Sequence, residues 1–204
     1  MNIVILKYHA GNVRSVTIAL ERLGIHALLS DNHSDLLEAD KIIFPGVGEA
    51  HSAMDYLKEK NLDTLIPKLK KPFLGICLGM QLLCQHSEEG NTKGIGIFNT
   101  KVKHFISPEH RGASRLEDCK VPQIGWNRIR NLKGPLFEGL SEECYMYFVH
   151  GYFAGLSDQT AAATEYILPY SSALRKDNFY AVQFHPEKSG EAGKRVLQNF
   201  IELC

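Results

Sequence analysis

Solid apolar runs of four or five residues recur through the first half of the chain. Each gives way to a polar or glycine-bearing stretch and then to apolar positions at helical spacing. "NIVIL" at 2–6 is followed by "KYHAGN" and by Val13, Val16, Leu20 and Leu23, so strand, loop and helix are predicted in turn. "KIIF" at 41–44 leads into "PGVGEAHS" and a predicted helix, and "FLGI" at 73–76 leads through Cys77 into a helix predicted over "LGMQLLCQH" at 78–86. Strands that are apolar at every position are buried on both faces, and their alternation with helices predicts an α/β fold with a mostly parallel central sheet and helices on both faces. From about residue 95 the runs shorten to "GIFNTKVKHF", "QIGWNRIR", "YMYFVHGYF", "AAATEY", "SSALRK" and "FYAVQF", which predict a smaller antiparallel extension. A last helix closes the chain, with Val196, Leu197, Phe200 and Ile201 as its apolar stripe. The polar stretch at 107–123 is the best candidate for a mobile loop.

Composition narrows the function classes. With 204 residues, one domain spanning 1–204 is expected. Basic and acidic side chains balance at 23 each, which argues against a nucleic-acid partner. The apolar run at the N-terminus is far shorter than a spanning helix and has no basic lead-in, which predicts a cytoplasmic chain without a membrane segment. The five cysteines follow neither a metal-ligand nor a paired spacing, so free thiols and no metal site are expected.

One of those thiols is placed for chemistry. In open α/β sheets, reactive groups collect where strands end and helices begin. There "GICLG" resembles the G-x-S-x-G nucleophile elbow with sulfur in place of oxygen. The glycines give room for a tight turn, and the helix N-terminus behind Cys77 favours thiolate over thiol. A thiol nucleophile needs a base, and "VQFHPEKS" supplies His185 with Glu187 two residues on, on the same side of an extended backbone. Pro186 between them favours extended geometry at the histidine. Acyl transfer also needs donors for an oxyanion. The glycines of "FPGVGEA" at 44–50 can turn backbone N–H groups toward a ligand, and the N–H of Leu78 is a second natural donor.

These three segments, in this order, resemble the class I (triad) glutamine amidotransferases, and the resemblance covers essentially the whole chain. It implies a flavodoxin-like fold and the hydrolysis of L-glutamine to glutamate and ammonia without a cofactor. Cys77 would be the nucleophile, His185 the proton relay and Glu187 its orienting partner. Val47, Gly48 and Leu78 would form the oxyanion hole. Gln81, Glu89, Gly151 and Tyr152 would hold the substrate, with Glu88 an equal candidate to Glu89. "AGNVRSV", "QIGWN" and "YFVHGY" are similar to the branch of the family that serves histidine biosynthesis. That branch passes ammonia to a TIM-barrel cyclase in a heterodimer, since ammonia released to neutral solvent is mostly protonated and no longer a nucleophile. By the same resemblance Asn12, Ser15, Trp126, Tyr147 and Lys188 would face the cyclase. The alternative is the glutaminase component of anthranilate or aminodeoxychorismate synthase, which usually has histidine where this chain has Met80. Two departures from the branch are Gln123, where histidine is commoner, and "KYHAGN", which lacks a commoner glycine.

Overall fold

The computed structural model describes residues 1–8, 12–110 and 119–204. The first half alternates β1 (Ile3–Leu6), α1 (Val13–Glu21), β2 (Leu28–Ser30), α2 (His33–Glu38), β3 (Lys41–Phe44), α3 (Ala50–Glu59), α4 (Leu62–Leu65), β4 (Phe73–Ile76) and α5 (Leu78–Leu83). The second half is strand-rich. It runs β5 (Cys84–Ser87), β6 (Thr92–Lys93), β7 (Phe98–His104), β8 (Gln123–Arg128), β9 (Tyr145–His150), β10 (Tyr152–Ala154), β11 (Thr160–Glu165), β12 (Pro169–Lys176) and β13 (Phe179–Val182), and ends in α6 (Gly190–Leu203).

The apolar runs become central strands because both of their faces are covered. Ile3 and Ile5 of β1 pack with Val16 and Leu20 of α1 and with Val196, Leu197 and Phe200 of α6. The alternate residues Val4 and Leu6 pack on the opposite face with Ala53, Met54 and Leu57 of α3. All four β1 side chains are buried, each contributing about 1.5–3 kcal/mol of apolar transfer. The expected stripe on α6 is therefore correct, and it closes one of two cores that sandwich the sheet.

Among the described residues one sheet runs β2-β1-β3-β4-β13-β12-β10-β7-β5-β6, with β11 paired to β12, while β8 and β9 form a separate two-stranded antiparallel sheet. β2, β1, β3, β4 and β13 are mutually parallel. β12, β10 and β7 then continue the same sheet by antiparallel pairing.

The structure corrects three readings. "FYAVQF" supplies β13, which sits inside the parallel half next to β4; a fully buried strand carries no mark in its own residues of the direction in which it pairs. The helix predicted over 78–86 ends at Leu83, and Cys84–Ser87 instead pairs with β7 and β6. All six α5 residues are buried, so its pattern has no polar face to mark where the helix stops, and the ladder offered by β7 ends it. Extended geometry holds at His185 (φ −99°, ψ 95°) but not beyond, since Pro186–Lys188 form a 3₁₀ turn with the proline at its start. Of the stretch 107–123 proposed as a loop, residues 111–118 lie outside the described residues, as do Ala10 and Gly11 of "AGNVRSV".

Candidate active site

The insertion of β13 beside β4 builds the site. Their register pairs Val182 with Ile76, and the Cys77 N–H donates to the Val182 carbonyl at 2.8 Å. Residues more than a hundred positions apart thereby leave the sheet together at its carboxyl edge. Cys77 has φ 52° and ψ −109°, a positive-φ conformation that side-chain-bearing residues rarely adopt. The flanking glycines allow it by close approach. A Cβ on Gly79 would lie 1.9 Å from the Phe44 carbonyl oxygen, and one on Gly75 would lie 2.8 Å from Leu83 Cδ1. Helix α5 thus starts hard against β3, with the sulfur at its head.

His185 and Glu187 meet as the sequence predicts. His185 Nδ1 donates to Glu187 Oε1 at 2.8 Å, and both side chains are almost fully buried. Burial by itself would lower the imidazole pKa. Hydrogen bonds to Cys77 and Glu187, with their charges, outweigh it and raise the pKa to about 10. The His185 N–H in turn donates to the Tyr147 carbonyl at 2.9 Å, which fastens the histidine to β9.

Cys77 opens into a cleft of about 230 Å³ whose walls include Val47, Gly48, Leu78, Gln81, Glu89, Gly151 and Tyr152. Every residue expected for the oxyanion hole and the substrate therefore surrounds one cavity. The two glutamates are placed differently. Glu88 turns away to accept from the His104 N–H at 2.7 Å, whereas Glu89 lines the cleft and accepts from the Ala50 N–H at the start of α3 at 2.9 Å. Burial raises the Glu89 pKa, and the Ala50 bond only partly offsets this. Glu49 caps the same helix, accepting from the N–H groups of His51 and Ser52, and so anchors the end of the glycine loop. The Leu78 N–H, expected as an oxyanion donor, donates to the Gly46 carbonyl at 3.3 Å. The tight turn that exposes the sulfur also folds this amide back onto the loop.

Along its length the chain matches the family described as "Glutamine amidotransferase class-I", over residues 4–203. It belongs to the class-I glutamine amidotransferase family. Relatives include the imidazole glycerol phosphate synthase subunit HisH of Bacteroides fragilis (strain YCH46), 54% identical with 100% of each chain covered. The protein of the same name from Photorhabdus laumondii is 45% identical, again with 100% of each chain covered. Among solved structures, one described as a glutamine amidotransferase superposes with a TM-score of 0.72 at 20% identity, covering 98% of this chain and 97% of the other. PurLQS from Thermotoga maritima superposes with a TM-score of 0.71 at 18% identity, covering 98% and 97%. At those identities the likeness is one of fold.

In this amidotransferase the five residues assigned to a partner face lie around the His185 turn. Trp126 and Tyr147 are cross-strand partners on β8 and β9, with ring centroids 5.9 Å apart at 70°. Trp126 is 55% exposed, and Ile124, two residues before it on the same face of β8, is exposed as well. Lys188 is exposed on the 3₁₀ turn, and Ser15 is half-buried on α1. Asn12 also makes contacts within the chain. Its side-chain amide donates to Glu187 Oε1 and lies 3.3 Å from His185 Nδ1, so it braces the carboxylate. Nothing in "AGNVRSV" marks that contact, because it spans 175 residues. Gln123 is buried and accepts from the Tyr170 hydroxyl at 3.0 Å. His150 is a further buried group that sequence reasoning passed over. Burial lowers its pKa to about 4, so it stays neutral beside the charged His185. Among the described residues no group of three or more His, Cys, Asp or Glu side chains is arranged to hold a metal, and no helix is long and apolar enough to cross a membrane.

Proposed function

We propose that this chain is the glutaminase subunit of imidazole glycerol phosphate synthase, releasing ammonia from L-glutamine for a TIM-barrel cyclase subunit in histidine biosynthesis. The observation that carries the chemistry is the buried His185–Glu187 pair hydrogen-bonded behind Cys77 at the mouth of the cleft. Full-length relatives named imidazole glycerol phosphate synthase subunit HisH support the choice of synthase.

In the proposed reaction the sulfur adds to the side-chain amide carbon of glutamine. The imidazole, protonated at neutral pH because its pKa is raised to about 10, gives its proton to the departing nitrogen as the C–N bond breaks. A thioester and ammonia result. Water, deprotonated by the now neutral His185, then adds to the thioester, and glutamate leaves as the thiolate and the protonated His185 are restored, its carboxyl proton passing to solvent. Glu187 holds the Nδ1 proton and stabilises the imidazolium throughout. The backbone of Val47 and Gly48 would receive the oxyanion, joined by Leu78 once its N–H exchanges the Gly46 carbonyl for the substrate oxygen. Glu89 suits the α-ammonium of the substrate, and the neutral walls formed by Gly151 and Tyr152 suit its aliphatic stem. Trp126, Tyr147, Lys188 and Ser15 would meet the cyclase beside the His185 turn, close to where ammonia forms.

The test is reconstitution with the cyclase. Cys77→Ser should reduce glutamine-dependent synthesis by more than about 10³-fold while synthesis from ammonium salts survives. Survival of the glutamine-dependent route would overturn the assignment of the nucleophile. A failure of the chain to co-purify with, or be stimulated by, the cyclase would overturn the assignment of the synthase.

A further inference from the structure

Gln183, the first residue beyond β13, is 0% exposed and lies between Gln81 and the Cys77 sulfur. Its backbone N–H is bonded to the Ser172 carbonyl, so the side chain is not needed to hold the strand end. The reaction described above gives it no part. A buried carboxamide at a nucleophile needs an account, since burying one without partners costs a few kcal/mol and an apolar residue would fill the same space.

The contacts around Gln183 have a fixed direction. The Tyr152 carbonyl oxygen can only accept, and Gln81 Nε2 lies 3.0 Å from it. That orients the Gln81 amide, and its second N–H then meets Gln183 Oε1 at 3.0 Å. Gln183 therefore shows its oxygen to Gln81 and its nitrogen to Cys77, with Nε2 3.7 Å from Sγ. Flipping either amide would set oxygen against oxygen at one end or nitrogen against nitrogen at the other. His150 Nδ1 occupies the remaining side of the Tyr152 carbonyl at 2.7 Å and fixes the start of the chain.

We infer that Gln183 is part of the glutaminase machinery: its N–H donates a hydrogen bond to Cys77 and stabilises negative charge on the sulfur, while its oxygen locks Gln81. No proton moves through it; the proton of the Cys77–His185 pair stays on the imidazole until the departing nitrogen takes it. A second consequence concerns specificity. With both N–H groups spent on protein oxygens, Gln81 can offer a ligand in the cleft only its Oε1, an acceptor suited to the N–H of a carboxamide. This inference rests on the glutaminase reading of the same site.

The experiment is the pH dependence of Cys77 alkylation by iodoacetamide, followed by mass spectrometry of the Cys77 peptide in the full-length protein. Gln183→Met removes the donor at similar volume; Gln183→Glu keeps the oxygen facing Gln81 and replaces the donor by an acceptor. Thermal unfolding identifies which variants are folded. Each folded variant should move the alkylation midpoint upward by about one pH unit, tenfold in thiolate population at a fixed pH, as expected for the loss of a charge-assisted hydrogen bond. Glutaminase kcat should fall with it, and the midpoint for the Cys119 peptide should stay where it is. Wild-type midpoints for the Cys77 peptide in a folded variant overturn the inference. The two readings fail separately: Cys77→Ser retaining glutamine hydrolysis sinks the proposed function, whereas an inactive Cys77→Ser with unshifted Gln183 variants sinks only the role of Gln183.

Discussion

Replacing Cys77 by glycine should stabilise the protein relative to replacing it by alanine, the reverse of the usual order. Both substitutions remove the sulfur and abolish the reaction, and both leave a similar void. They differ in what φ 52° and ψ −109° cost. A residue bearing a Cβ in so sparsely populated a region stores about 1–3 kcal/mol. Glycine has no Cβ to clash, but its freer unfolded chain costs about 0.4–1 kcal/mol relative to alanine. The difference favours glycine by about 1 kcal/mol, within a range of roughly 0–2.6, and for a chain of this length each kcal/mol is ~2–4 °C in Tm. Urea unfolding of the two variants, with matched m-values, measures the difference directly. If Cys77→Ala were the more stable of the pair, the turn that lifts the nucleophile would not be strained. The account of why glycines flank it would then fail too.

The remaining predictions concern the site's charge and packing. Since the folded pKa of His185 is raised above its unfolded value near ~6.5, its protonation contributes stability that is complete below that pH and is lost as pH rises through about 10. The stability advantage of the wild type over Glu187→Gln should shrink across that window, and the His185 ring protons should titrate near pH 10 by NMR; a midpoint near 6.5 would refute the buried charged pair. Gly79→Ala should cost about 1–3 kcal/mol and disturb activity, because its Cβ meets the Phe44 carbonyl at 1.9 Å and α5 must move off β3, carrying Cys77 with it. An unchanged Tm in calorimetry would show that the helix start has slack the structure does not display.

Relatively little of the site needed the structure to be suspected. Cys77 between glycines at a strand end, His185 and Glu187 two apart, and the "PGVG" loop each carry a local chemical reason that survives in the sequence. The misreadings share a cause. Cys84 was placed on a helix and β13 in an antiparallel extension because both lie in runs that are buried all round, where periodicity has no polar face to register. Glu88 and Glu89 are equivalent by sequence, and only the N-terminus of α3, which binds one of them, separates the two. The contact of Asn12 with Glu187 and the place of Gln183 beside Cys77 were missed because they join residues 175 and 106 positions apart.

What the sequence determined by itself was therefore local. Apolar runs too solid for a half-solvated strand required a sheet covered on both faces, and two glycines permitted a backbone that presents a thiol. What only the tertiary structure decided was adjacency. The parallel seating of β13 against β4 sets Val182 opposite Ile76, and that single register brings Gln183, His185 and Glu187 to Cys77. Hydrogen-bond ladders between strands are made by backbone atoms that every residue shares, so no side chain in either strand announces its partner, whereas the chemistry of a cysteine, a histidine or a glycine is written in the residue itself.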